Sequence, residues 1–471
     1  MITFVTRRFF LIYSIAFLLL IPAGCDVGGS GVLEPEEGEA LSGGDVTIFD
    51  ESVNAFGFPA PGLARQEELF FGVGNSFFNQ NWVQSPASTT ARDGLGPVFN
   101  ARSCAGCHFK DGRGRSPAFD GESPTGYLVR LGVPGGLTPL GEPVADARYG
   151  TQIQDNSILG VETEATVILQ YEEVAGTFGD GTPYVLRRPV LSFQDEAFGP
   201  IEGLAVSPRV ANQMPGLGLL EAIPEASILA YADPSDANGD GISGRPNQVW
   251  NFETASYALG RFGWKGEQPT IRQQVASAFI GDMGITSSIF PNQNCAQSPS
   301  ACSDAPGGGT PEIEDRNLAH VELYASTLAV PGRRNWDAEE VLAGKQLFNE
   351  TGCAGCHVPV FETGISTVSD ALSNQTIRPY TDLLLHDMGP GLADGLSTFE
   401  ANGQEWRTPP LWGIGLISTV NRHTELLHDG RARDVVEAIL WHGGEAEQAK
   451  EKFRNLNQQQ RDNLVAFLHS L

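Results

Sequence analysis

The five residues CAGCH occur twice, as Cys104–His108 in NARSCAGCHFKDGRG and as Cys353–His357 in NETGCAGCHVPV. Cys-x-x-Cys-His meets one chemical need. Two thiols at that spacing form thioethers with the two vinyl groups of a haem, and the histidine that follows is held beneath the iron as its proximal ligand. A zinc site would need a second ligand pair close by, and a redox dithiol does not require the histidine. The motifs therefore predict two covalently bound haem c groups, attached at Cys104, Cys107, Cys353 and Cys356, with His108 and His357 as iron ligands.

At 471 residues the chain is long enough for each motif to have its own domain. EEVLAGKQLFNETG before the second motif and QQQRDNLVAFLHSL at the C-terminus carry apolar residues at helical spacing. LARQEELFFGVGNSFF precedes the first motif, and RNLAHVELYASTLAVPGRRN ends in a Pro/Gly break at Pro331 that reads as a linker. The expected fold is mainly α: two tandem cytochrome c domains, residues 50–334 and 335–471. Between 119 and about 200 the runs GYLVRLGV, ATVILQYEEV and PYVLRRPVLSF, separated by turns such as GDGTP, predict a β-rich insertion in the first domain. No chemistry can be assigned to it from the sequence.

Arg7 and Arg8 precede the apolar run FFLIYSIAFLLLI, too short for a comfortable membrane span, so residues 1–25 read as a secretory signal. It ends PAGC, where Ala23, Gly24 and Cys25 resemble the box before a lipidated cysteine, although Pro22 stands where Leu is usual. Lipidation at Cys25 is expected, plain cleavage nearby being the alternative. The acidic, Gly-rich residues 26–49 read as a flexible tether. This places the protein on the periplasmic side of a bacterial envelope, anchored to the membrane by its N-terminal lipid. The net charge of −27 excludes nucleic acid as a partner; it suits a soluble exported surface, or a basic protein partner. Cys295 and Cys302, in QNCAQSPSACSDAPGGG, are expected to form a local disulfide in that oxidising compartment. A redox-active dithiol is the other reading, but nothing basic or helical nearby would lower a thiol pKa.

DPSDANGDGISGRPN offers Asp236, Asn238, Asp240 and the Ile242 carbonyl in the order of a calcium loop, with Asn247 where a bidentate Glu would close it. A solvated Asx turn is the alternative.

Three further stretches extend the pattern: RTPPLWGIG followed by ELLHDGRARDVVEAILWHGG, RFGWKGEQPTIRQQVASAFIGDMG, and GLGPVFNARSCAGCH. Together they resemble the di-haem oxidoreductase (thiol oxidoreductase) branch of the bacterial di-haem cytochrome c peroxidase superfamily, over residues 50 to 471 apart from the β-rich part. The resemblance implies a distal ligand of the C-terminal haem fourteen residues beyond the histidine of HDG, which from His428 lands on His442. Met388 is the competing candidate, since Met is a common distal ligand. It maps the family's acidic-Met pair onto Asp282 and Met283, with Asp282 as the acid/base in O–O cleavage; Asp is one methylene shorter than the family's Glu, and a helix-end carboxylate bonded to backbone donors is the bland reading. No histidine lies between His108 and His320, so the N-terminal haem is expected to be five-coordinate or water-bound unless Met214 ligates it. An aromatic residue relays electrons between the haems in the family, but no particular Trp can be matched here, and His386, His423 and His469 are expected to be structural. The implied function is electron transfer from the C-terminal haem to a peroxidase-like N-terminal haem that reduces hydrogen peroxide or a similar oxidant, with a donor or acceptor protein such as a small cytochrome as partner. Alternatives are an electron-transfer cytochrome without peroxidase activity and an oxidase of a partner protein or small molecule.

Overall fold

Two helix pairs built on the same device carry the CAGCH segments. Helix α1 (Arg65–Asn79) buries Phe71, Phe77 and Phe78 on one face. Its first turn is closed by Glu67, whose carboxylate accepts from the Ala64 N–H at 2.7 Å. Between its end and the first motif only Val98 and Phe99 form a strand, paired antiparallel with Ser157 and Asn156. Helix α2 (Ile271–Met283) starts at Thr270, whose hydroxyl caps the Gln273 N–H, and ends on Gly284 in the left-handed region. Helix α3 (Asp315–Ser326) packs on α1 at Gly74, where a Cβ would come within 2.0 Å of the His320 carbonyl oxygen. Helix α4 (Glu339–Thr351) and the C-terminal helix α6 (Gln458–Ser470) cross in the same way at Gly344, where a Cβ would come within 2.0 Å of the Asn463 oxygen. Between them in sequence lies α5 (Val435–Trp441), capped by Asp434.

A computed structural model describes Met1 and residues 33–118, 122, 126–296 and 300–471. The signal segment and Cys25 lie outside the described residues. Among the described residues no helix is long and apolar enough to cross a membrane. Strand β1 (Tyr127–Gly132) pairs antiparallel with β4 (Ala205–Val210), Tyr127 opposite Val210. Strands β2 (Thr166–Thr177) and β3 (Pro183–Gln194) form a long hairpin whose turn is fixed by Asp180 accepting from the Thr182 N–H at 3.0 Å. This hairpin reaches the C-terminal part of the chain: Arg461 pairs with Asp180 at 2.7 Å, Arg454 donates to the Thr177 carbonyl at 2.9 Å, and Arg187 pairs with Glu425 at 2.6 Å.

The expectation of a mainly α chain with two tandem cytochrome c domains is overturned. Helix accounts for 28% and strand for 18%, the strands forming several two-stranded sheets, and Leu33–Leu471 is one compact unit. The physical reason is that neither half closes its own core. One apolar cluster joins Phe71, Phe78 and Tyr324 to Val358, Leu384 and Trp412. A second joins Tyr127, Leu169 and Trp264 to Phe348 and Phe467. The Pro331 break is not a linker, because Val330 and Pro331 pair in parallel with Thr47 and Ile48. Nor does the tether extend to residue 49. Glu39 is 1% exposed and ion-paired with Arg333 and, at 3.1 Å, with Lys345. Burial opposes its charge, but these two cations hold its carboxyl below the usual range.

Candidate functional site

The two CAGCH segments open onto two cavities of nearly equal volume. The first, about 210 Å³, is lined by Cys104, Cys107, His108, Met214, Asp282 and Met283 among others. Cys104–Cys107 form a single helical turn, and the His108 N–H bonds back to the Cys104 carbonyl at 2.8 Å, which swings the imidazole out of the turn. Its Nδ1 lies 2.7 Å from the Asn212 carbonyl. A carbonyl only accepts, so Nδ1 carries the proton and Nε2 is left with its lone pair. Burial lowers the His108 pKa below its ordinary value, which keeps the ring neutral. The thiols are free, and burial pushes Cys104 up to about 12. Met214 lies two residues beyond the carbonyl that orients His108. Among the described residues no second imidazole lines this cavity.

The second cavity, about 220 Å³, brings together Cys353, Cys356, His357, Met388, His428 and His442. Gly352, left-handed at φ 94°, ends α4 and turns the chain into the motif. His357 Nδ1 donates to the Tyr380 carbonyl at 2.9 Å, and His442, at the end of α5, donates from Nδ1 to the Ala438 carbonyl at 2.7 Å. Two imidazoles thus keep their Nε2 atoms available in one cavity. They are close enough that, after burial, His442 is among the causes bringing His357 down to about 4. Both His442 and Met388 line the wall, so the geometry admits either as the second ligand.

Asp282 does not take the bland role of a carboxylate bonded to backbone donors. Its Oδ1 accepts from the side-chain amide of Gln152 at 2.9 Å. Burial raises its pKa, partly offset by that bond and by the nearby Arg130.

The structure also brings to the cavities groups that the sequence did not place there. His386, expected to be structural, lies in the second cavity between Asp382 at 2.8 Å and Glu445 at 2.7 Å, with the Cys356 sulfur 3.5 Å away. Burial opposes its charge, but the carboxylates hold its pKa well above the ordinary value. Arg113, Gln213, Trp264 and Arg407 line both cavities. Trp264 is fixed by its indole N–H to the Val210 carbonyl at 2.8 Å, with the Arg113 guanidinium 5.1 Å over its ring. His428 meets Trp264 edge-on and stacks on Trp406 at 3.7 Å. Trp264 was within the quoted RFGWKGEQPT, but a sequence does not say which indole stands between two pockets.

The calcium loop turns its oxygens inward. Asn238 accepts from the Asp240 N–H at 2.9 Å and Asp240 from the Ile242 N–H at 2.8 Å, as in Asx turns, and Asp236 reaches across the loop to the Gly241 N–H at 3.2 Å. Among the described residues no group of three His, Cys, Asp or Glu side chains is placed to hold a metal ion. Cys295 and Cys302 form a disulfide.

The donor set of each cavity fits a haem: paired thiols, an imidazole with a free Nε2, and cations for its carboxylates. Burial lowers both Arg113 and Arg407 to about 10. Among the described residues the buried Nη2 of Arg209 in the first cavity has no hydrogen-bond partner, a carboxylate oxygen of Asp394 standing 4.0 Å away.

The family model described as "Di-haem oxidoreductase, putative peroxidase" matches residues 38–130 and 143–471. Among solved structures, a chain of Kuenenia stuttgartiensis hydrazine synthase pressurised with 20 bar xenon is similar at 13% identity, covering 97% of this chain and 100% of its own. Its TM-score of 0.33 is too low to bear on fold or chemistry. No curated protein matches. The paired cavities and the family match over nearly the whole length place this chain in the di-haem oxidoreductase family.

Proposed function

We propose that this di-haem oxidoreductase carries both haems covalently, through Cys104 and Cys107 and through Cys353 and Cys356, and reduces hydrogen peroxide or a similar oxidant at the first cavity. The observation that carries the reading is the difference between the cavities. The second holds two imidazoles with free Nε2 atoms, whereas the first holds one imidazole and, on its wall, the half-buried carboxylate of Asp282.

When bound, the first haem supplies an iron for the oxidant and a path for electrons. The chain supplies orientation, water exclusion and proton transfer. His108 is held neutral and directed by Asn212. Asp282 takes a proton from the incoming peroxide and returns it to the departing oxygen; with two electrons and two protons, peroxide leaves as two waters. His442, with its Nε2 free, would ligate the second haem opposite His357, and that site would then exchange electrons without binding substrate. Electrons enter there from a donor protein such as a small cytochrome and cross the wall formed by Trp264. The chain is held at the periplasmic face of the membrane through Cys25.

The holo-protein, given peroxide and a reduced small cytochrome, is expected to oxidise two donor molecules per peroxide consumed. Peroxide loss without donor oxidation, or no loss at all, would sink the proposal.

A further inference from the structure

The β-rich stretch has a chemistry after all, supplied by Gln152 and Gln154. They are 3% and 1% exposed and, two positions apart on extended chain, face the same way. Both reach the last turn of α2. Gln154 donates its amide to the Gly281 carbonyl at 2.8 Å. The Gln152 amide nitrogen lies 2.9 Å from Asp282 Oδ1, 3.1 Å from the Gly281 carbonyl and 2.7 Å from Asn100 Oδ1.

The direction of the Gln152 amide is determined from both ends. Arg130 donates to its Oε1 at 3.1 Å, and a guanidinium can only donate. Asn100 spends its own N–H groups on the Ile153 carbonyl at 2.9 Å and on Asp155 at 2.7 Å, so its oxygen must face Gln152. Reversing the Gln152 amide would set its N–H groups against Arg130 and its oxygen against a carboxylate.

We infer that Gln152 is a positioning residue for proton transfer in the first cavity. Its N–H occupies Oδ1 of Asp282 and leaves Oδ2 as the oxygen that takes and gives the proton, while Arg130 and Asn100 fix the direction of the amide. The inference rests on the proposed role of Asp282. The other charged or titratable groups around Asp282 are Arg130 on β1, the thiols of Cys104 and Cys107, and Asp155 beyond Asn100.

The test is an infrared pH titration of the holo-protein, the Asp282 carboxylic acid band being identified as the one missing in Asp282→Asn. An N–H given to a carboxylate favours the charged form. Gln152→Leu, or Gln152→Met should leucine not fold, is therefore expected to move the midpoint to higher pH by about one pH unit, a tenfold change in the ionisation equilibrium. Gln154→Leu, which loosens the same helix end without touching the carboxylate, is expected to leave it in place. An unmoved midpoint in the Gln152 variants, or an equal movement in Gln154→Leu, would overturn the inference, because the glutamines would then merely anchor the helix. A moved midpoint in a protein that never turns over peroxide would instead overturn the peroxidase reading and leave the Gln152–Asp282 contact standing.

Discussion

Asp282→Asn is expected to lower the rate of peroxide reduction by about 10²–10⁴-fold, the usual contribution of a positioned acid/base. The substitution is nearly isosteric. Asn keeps an oxygen to accept from Gln152, which donates to Asp282 at 2.9 Å, so helix α2 should stay in place and only the proton-carrying oxygen is lost. The pH profile makes the assignment specific. Burial raises the Asp282 pKa, and the carboxylate is the form that accepts the first proton. Activity should therefore rise with pH along a limb lying above the ordinary carboxylate range, and the Asn variant should lack that limb. Stopped-flow rates across pH on both proteins check this; a limb that persists in Asp282→Asn would assign it to another group.

Lys265→Met is expected to destabilise the holo-protein by about 3–5 kcal/mol, as removal of one partner from a buried ion pair does. Lys265 is 0% exposed and donates to Asp394 at 2.9 Å and to the Asn402 carbonyl at 2.8 Å, with its ammonium 4.5 Å over the Trp406 ring. Its loss leaves Asp394 buried with only Arg209, 4.0 Å away, to balance its charge. Pairing the change with Asp394→Leu should restore much of the stability, since two apolar side chains leave no unbalanced charge. Denaturation midpoints of the single and double variants measure this. Equal losses in both would mean that packing around Trp406 matters more than the charge pair.

Legibility in the sequence followed how local each requirement was. CAGCH demands five consecutive residues, so Cys104–His108 and Cys353–His357 could be read directly, and the structure sets each at the wall of a cavity. Helices α1, α4 and α6 showed their periodicity because each buries one face on a neighbour. The domain division failed because burial of irregular chain has no period: Trp412 and Leu384 join the core around Phe78, and Tyr127 joins that around Phe467. That Gln152, Trp264, His386 and Arg407 stand at or beside the cavities was not legible for a related reason. Each comes from chain distant from either motif, and only the closed fold brings them to the cavities. Gly74 and Gly344 were equally silent, since a glycine inside a helical pattern does not announce that another backbone crosses it.

The proposed function requires a first haem site open to substrate and a second closed by His357 and His442. Electron paramagnetic resonance of the oxidised holo-protein tests it most directly, recorded for the parent and for His442→Ala, before and after peroxide. Expected is a high-spin signal beside a low-spin bis-histidine one, with only the low-spin signal lost in His442→Ala and only the high-spin signal responding to peroxide. Two low-spin signals indifferent to peroxide, or a low-spin signal that survives His442→Ala, would contradict it.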